Sequence, residues 1–199
     1  NSPYAYDSGG LTIEEVTQNR RQVRRRNLIY KTEESIVHYK LSADFKKQFS
    51  KRTSFSSYVF FSKRDFIGKI PVNNGGVINL DRKYWGIGAS ILLNNNIKTQ
   101  IGFDIGNQSD LRKRYNNNEG LIGEQVLDQY EKFSNLGIYI INNYALKRLT
   151  FSSGFRYDIN KVNLEDLFLA DGNSSDKINL NSFNPSFGIN YKIASRSRF

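Results

Sequence analysis

Cysteine and methionine are both absent from this chain, and histidine and tryptophan occur once each, as His38 and Trp85. Without cysteine there can be no disulfide and no thiolate metal site. A single histidine cannot build a histidine-based metal centre. No HExxH, GxSxG or phosphate-loop pattern occurs, so no catalytic constellation stands out; the expectation is a protein that is not an enzyme and carries no cofactor. No run of about 18 apolar residues exists, which excludes a transmembrane helix. Position 1 is Asn, not Met, so the chain is expected to be processed or cut from a longer one, and no signal peptide is visible. Proline occurs only three times.

What is present is polar, basic and aromatic. The 199 residues hold 29 Lys and Arg against 19 Asp and Glu, a formal net charge of +10, and 14% are aromatic. That length allows one domain or two. So many aromatic and β-branched residues argue against disorder, and the Asn-, Ser-, Tyr- and Phe-rich composition suits many strands joined by polar loops. A basic excess can signal nucleic acid. Here the cations fall in separate clusters and singly along strands, and no RNA-binding aromatic motif appears, so no nucleic-acid partner is expected.

The dominant pattern is period-two alternation, the signature of a strand with one apolar and one polar face. It runs through 36–49, 53–63, 84–93, 97–105, 135–140, 149–159 and 183–193. Trp85, Ile87, Ile91, Ile101, Phe103, Ile138, Ile140, Phe151, Phe155, Phe187 and Ile189 share the apolar faces. Each strand is roughly 9–13 residues, above the soluble mode of about 5–6 and near the length that crosses a bilayer at a tilt. Short links at 50–52, 94–96, about 144–148 and 194–195 alternate with long ones at about 64–82, 106–134 and 161–182, and the segment 1–30 fits as one more long link. Alternation alone does not say which face points outward, so a soluble up-and-down barrel of the lipocalin kind stays open on that evidence. Strand length, loop asymmetry and the Gly, Ser and charge of the polar face favour a membrane barrel with short periplasmic turns and long extracellular loops. The expected fold is therefore all-β: an antiparallel up-and-down transmembrane barrel segment of about 7–8 strands. The terminal Arg196–Phe199 reads as the opening of a strand, and Phe199 as an accident of where the chain stops.

Several segments also resemble a known family. YDSGGLTIEE at 6–15, running into NRRQVRRRN at 19–27, resembles a barrel loop of TonB-dependent outer-membrane receptors of the iron-complex type. DFIGKIP at 65–71, GFDIGNQSDLR at 102–112, GFRYD at 154–158 and NPSFGINY at 184–191 are similar, in order, to strand and loop segments of the same family. That resemblance implies a barrel of about 22 strands with a plug in its lumen, of which residues 1–199 match a middle part without the plug. It implies energy-dependent uptake of a scarce nutrient, commonly a ferric siderophore, with TonB engaged through other parts of the parent protein.

Candidate ligand-binding residues follow from charge. Thr12 followed by Glu15 fits a capping box, and Ile13, Val16, Arg20 and Val23 are spaced for one helical face, so a short helix is expected within Leu11–Arg26. Its basic end carries Arg20, Arg21, Arg24, Arg25 and Arg26; guanidinium groups bind carboxylates bidentately. Arg112, Lys113 and Arg114 with Tyr115 form a second basic patch at the start of a long link. Tyr4, Tyr6 and Tyr115 add flat contact surface. Arg20, Arg24, Arg25, Arg112, Arg114 and Tyr115 are thus the expected contacts of an anionic iron chelate, set against a solvated surface or one facing lipopolysaccharide phosphates. Asp171–Asp176 looks oxygen-rich but lacks the spacing and closing Glu of a calcium loop, and reads as a turn. His38 reads as one polar lining residue among Lys40, Ser42 and Asp44.

Overall fold

The computed structural model describes residues 2–194 and 197–198. Nine strands, β1 (Ser2–Tyr6), β2 (Glu33–Ser50), β3 (Thr53–Lys69), β4 (Val77–Asn94), β5 (Ile97–Asn118), β6 (Leu121–Leu146), β7 (Leu149–Asp166), β8 (Asp176–Ala194) and β9 (Ser197–Arg198), form one sheet. Each pairs antiparallel with the next in sequence, in the order β1 to β9. The sheet is open among the described residues, a partial up-and-down barrel wall. Arg196 and Phe199 lie outside those residues.

The strands run further than the alternation suggests. At the long-link end β3 continues to Lys69 and β4 restarts at Val77; β7 reaches Asp166 and β8 starts at Asp176. The stretch 106–134 is a continuous hairpin closed by Glu119 and Gly120, both at positive φ (51° and 92°), as a two-residue primed turn requires. The alternation fails there for a physical reason. Beyond the bilayer neither face needs to be apolar, yet the backbone ladder still forms. The N-terminal segment also departs from a plain loop, because Ser2–Tyr6 pairs with β2.

One face of the sheet is apolar and exposed. Trp85, Ile87, Ile91, Ile101, Phe103 and Ile138 all lie on it, with Ile101 at 51% and Ile138 at 54% of full exposure. The opposite face buries Gly86, Gly88, Ser90, Gly106, Gly137 and Gly154. The apolar run also drifts. It begins at Val37 on β2 and at Phe183 on β8. The row through Phe183 passes Tyr157, Ile138, Phe103, Ala89 and Ser57 to reach Phe45 on β2, about eight residues along from Val37. Eight residues at ~3.4 Å, over six strand spacings of ~4.8 Å, correspond to a strand tilt of about 40°, the inclination of strands in membrane barrels. A level apolar belt thus crosses a sheet whose strands are inclined to it.

The N-terminal segment carries α1 (Ile13–Asn19) and α2 (Arg25–Ile29). Thr12 caps α1: its Oγ1 accepts from Glu15 N (3.3 Å), and Glu15 Oε2 accepts from Thr12 N (2.7 Å). The expected apolar face does not carry through to Val23. The helix stops at Asn19, and Ile13 is 82% exposed. Two short helices, not one continuous face, are what the arginines sit on.

Candidate functional site: the polar wall and its mouth

The polar face is built on one row of cross-strand partners: Asp44, Tyr58, Gly88, Asp104, Gly137, Asp158 and Ser182. Gly88 and Gly137 lack side chains, and their neighbours reach across them. The Tyr58 hydroxyl passes over Gly88 and donates to Asp104 Oδ1 at 2.9 Å. From the other side Arg156 Nη1 donates to Asp104 Oδ2 at 2.7 Å, while its Nε donates to Asp158 Oδ1 at 2.8 Å. Asn184 Nδ2 completes the chain at Asp158 Oδ2, 3.2 Å. A Cβ on Gly88 would collide with the Tyr58 ring, and one on Gly137 with the Arg156 guanidinium. The resulting polar band spans β3 to β8 and ties alternate strands together. Sequence reasoning placed these residues on the polar face but missed the band, because the pairing of Gly88 with both Tyr58 and Asp104 exists only in the register.

A second row lies nearer the mouth: His38, Arg64, Arg82, Asp110 and Glu131. Asp110 is 1% exposed. It accepts from Arg82 Nε at 2.9 Å and Nη2 at 2.6 Å, and from Gln108 Nε2 at 3.1 Å. Those hydrogen bonds hold the Arg82 guanidinium above its ordinary, already high pKa. Arg64 stands directly across from Arg82, a like-charge pair that costs stability unless something compensates. Arg64 Nε is buried with no hydrogen-bond partner among the described residues. Its guanidinium lies 5.6 Å from the centre of the Phe66 ring. His38 Nε2 lies 2.7 Å from Ser62 Oγ in the neighbouring row.

The expected ligand-binding residues divide into two groups. Arg112, Arg114 and Tyr115 stand within β5, not in a loop. Arg112 Nη2 donates to Glu131 Oε2 at 3.2 Å. Arg114 Nε donates to the Gly75 carbonyl at 2.9 Å, holding the β3–β4 loop. Tyr115 lies half-buried at an irregularity in the β5–β6 pairing. Arg20, Arg24 and Arg25 are exposed on the N-terminal segment, with no ion pair among the described residues. Tyr6 is exposed as well.

One buried asparagine, Asn27, folds that segment on itself, and a second, Asn117, docks it on the hairpin. Asn27 Nδ2 donates to the Asp7 carbonyl at 3.2 Å. Asn117 Nδ2 donates to the carbonyls of Tyr30 (3.0 Å) and Ile70 (3.2 Å), and its Oδ1 accepts from Gly120 N (2.7 Å). The segment that carries one basic cluster is therefore docked on the tip of the hairpin whose β5 strand carries the other. The 167–175 connection is organised by Asp166, whose carboxylate accepts from the backbone N–H of Phe168 and of Ser174, both at 2.9 Å. The oxygen-rich turn 171–176 is shaped by that carboxylate.

A tilted, open antiparallel wall with an apolar belt outside and a crowded polar face inside is the wall of an outer-membrane barrel. The family described as TonB dependent receptor-like, beta-barrel matches residues 1–197, and the chain belongs to it. Its place is the outer membrane. The ferric citrate transporter FecA, in its unliganded form, superposes with a TM-score of 0.81 at 16% identity, over 96% of this chain and 30% of that one. The siderophore receptor PiuA from Acinetobacter baumannii gives 0.66 at 10% identity, over 82% and 31% of the two chains. The copper transporter OprC gives 0.58 at 16%, over 82% and 29%. The chain thus spans about 30% of the length of FecA. No curated protein sequence matches it.

Proposed function

We propose that this chain is part of the barrel of a TonB-dependent receptor that imports an anionic iron chelate, a siderophore or a citrate-like complex. In this reading residues 1–199 form a partial barrel domain. The plug and the contact with TonB belong to other parts of the parent protein. The coverage of 30% of FecA supports that placement.

The observation that carries the anionic reading is Arg64. An arginine set beside a second arginine, with a buried Nε lacking a hydrogen-bond partner among the described residues, is stabilised when a negative charge arrives. Arg20, Arg24 and Arg25 present further exposed guanidinium groups with no ion pair among the described residues. One sign of charge at a mouth concentrates an opposite charge. Arg112 and Arg114 contribute by position: each is engaged by Glu131 or Gly75, so they brace the mouth and offer their remaining donors. The likeness to OprC raises bare copper as a second substrate. A bare cation gains nothing beside the like-charged Arg64 and Arg82, whereas an anionic chelate does.

The test is equilibrium binding and uptake of ferric chelates by the full-length receptor. Charge-assisted hydrogen bonds contribute about 1.5–3 kcal/mol each. Arg20→Ala with Arg24→Ala should therefore weaken binding roughly 10²–10⁴-fold, and Arg64→Gln about 10-fold or more. Wild-type affinity in both variants, or preference for a neutral ligand, would overturn the anionic reading and leave the transporter class standing.

A further inference from the structure

The carboxylates of this chain are segregated along the strands. The row through Asp44, Asp104 and Asp158 is the last to carry one on the way to the short turns. The stretches on its short-turn side, 45–57, 89–103, 138–157 and 183–194, hold no Asp or Glu, although the chain has 19. They do hold cations. On the polar face these are Lys46 on β2, Lys98 on β5 and Lys192 on β8, together with Arg156, which is engaged by Asp104 and Asp158.

The three lysines are exposed and have no ion pair among the described residues. Each stands near the short-turn end of its strand. They fall on every third strand, so their strands lie ~14 Å apart around the wall. Their neighbours are neutral. Lys46 borders a recess of about 450 Å³ with Gln48, Ser54, Ser56, Ser90 and Gln100, in which the Ser56 and Ser90 hydroxyls lie 3.0 Å apart. Lys98 pairs with Asn94 and Asn143. Hydroxyls and amides offer hydrogen bonds to an oxygen-rich anion and leave the lysine charge uncompensated.

We infer that Lys46, Lys98 and Lys192 form a second, exit-side station on the barrel wall, which draws an anionic, oxygen-rich chelate from the mouth toward the periplasm when the lumen opens. The inference rests on the anionic reading of the ligand. A carboxylate on this part of the wall would pair with the lysines and repel a passing anion. Its absence leaves one sign of charge, as rings of Lys or Arg do in anion-conducting pores. Such a station must attract enough for entry and bind weakly enough for release. Lysine suits that task, because its ammonium is a compact, strongly hydrated charge on a flexible stem. The guanidinium groups of Arg20, Arg24 and Arg64 at the mouth instead grip carboxylates bidentately. Retention at the mouth and passage at the exit are thus divided between the two kinds of cation.

The experiment follows surface binding and uptake of ferric citrate and of a ferric tris-catecholate, both carrying radioactive iron, in cells with the full-length receptor. Rates are taken per folded receptor at the surface. Lys46→Gln with Lys98→Gln and Lys192→Gln should lower the maximal uptake rate about 10-fold or more and leave surface affinity unchanged. Lys46→Gln alone should move the rate in the same direction. Lys46→Arg with Lys98→Arg and Lys192→Arg should keep most of it, and Arg64→Gln should weaken surface binding. Wild-type uptake by the triple Gln variant, with Arg64→Gln still impaired in binding, overturns the exit station and leaves the anionic reading intact. No saturable binding of either probe by wild type removes both. A raised resting ion conductance of the purified triple Gln variant in a planar bilayer also overturns the station, since the lysines would then be holding the contents of the lumen in place.

Discussion

The side-chain amide of Asn117, at the tip of the β5–β6 hairpin, donates to the carbonyl of Tyr30 at 3.0 Å. Asn117 is 0% exposed, and the same amide group also serves Ile70 and Gly120. One side chain therefore joins the N-terminal segment, the β3–β4 loop and the hairpin turn. Its own N–H donates to the Asn73 carbonyl at 2.8 Å, a bond that survives loss of the side chain. The hairpin runs about 13 residues past the apolar belt, which raises it roughly 30 Å above the membrane at the observed tilt. So tall a ribbon needs lateral support, and Asn117 supplies it.

Asn117→Ala should release the arginine-bearing segment while leaving the sheet intact. The Tyr30 carbonyl and the Gly120 N–H would lose their partner, each worth about 1–3 kcal/mol when it stays buried, while the Ile70 carbonyl keeps its bond from Val72 N at 2.8 Å. Limited proteolysis of the full-length receptor should show cleavage within 7–32 accelerated at least 10-fold, with the barrel's melting temperature little changed. Unchanged cleavage would mean that other contacts hold the segment.

Asp110 and Arg64 should respond in opposite ways. Removing one member of a buried ion pair costs about 3–5 kcal/mol, so Asp110→Ala should lower the unfolding temperature in detergent and strand Arg82 beside Arg64. Arg64→Gln removes the like-charge pairing and should leave stability equal or slightly higher, while chelate binding falls. A variant pair in which both lose stability equally would show that Arg64 has a structural partner.

Gly88 should be coupled to Tyr58. Gly88→Val places atoms where the Tyr58 ring lies and should break the Tyr58–Asp104 hydrogen bond. Tyr58→Ala in the same protein should restore stability, with an interaction energy of about 1–3 kcal/mol across the double-mutant cycle. Strict additivity would place the ring elsewhere.

Ile101 and Gln100 are neighbours on opposite faces. Ile101 is exposed on the apolar belt, and Gln100 Nε2 donates to Ser90 Oγ at 3.1 Å on the polar face. Ile101→Arg should cost about 2–4 kcal/mol by putting a charge into lipid and reduce the assembled receptor. Gln100→Arg should assemble normally. Folded, heat-modifiable barrel in the outer membrane is the quantity to compare.

The sequence by itself determined the strands inside the belt, the apolar face and the Thr12 cap. Each is a local rule: lipid on one side enforces period two between Trp85 and Leu93, and a capping box closes within four residues. It also marked the arginines, since charge needs no fold to be counted. Tertiary structure alone decided the rest. Outside the bilayer the apolar constraint lapses, so the continuous β5–β6 hairpin left no alternation to find. Register decided that Gly88 and Gly137 open a path for Tyr58 and Arg156 to meet at Asp104, and that Arg64 faces Arg82 while Arg112 finds Glu131. Pairing partners tens of residues apart are set by how neighbouring strands align, and strand tilt then converts that alignment into height above the membrane. Neither quantity is a property of any single segment.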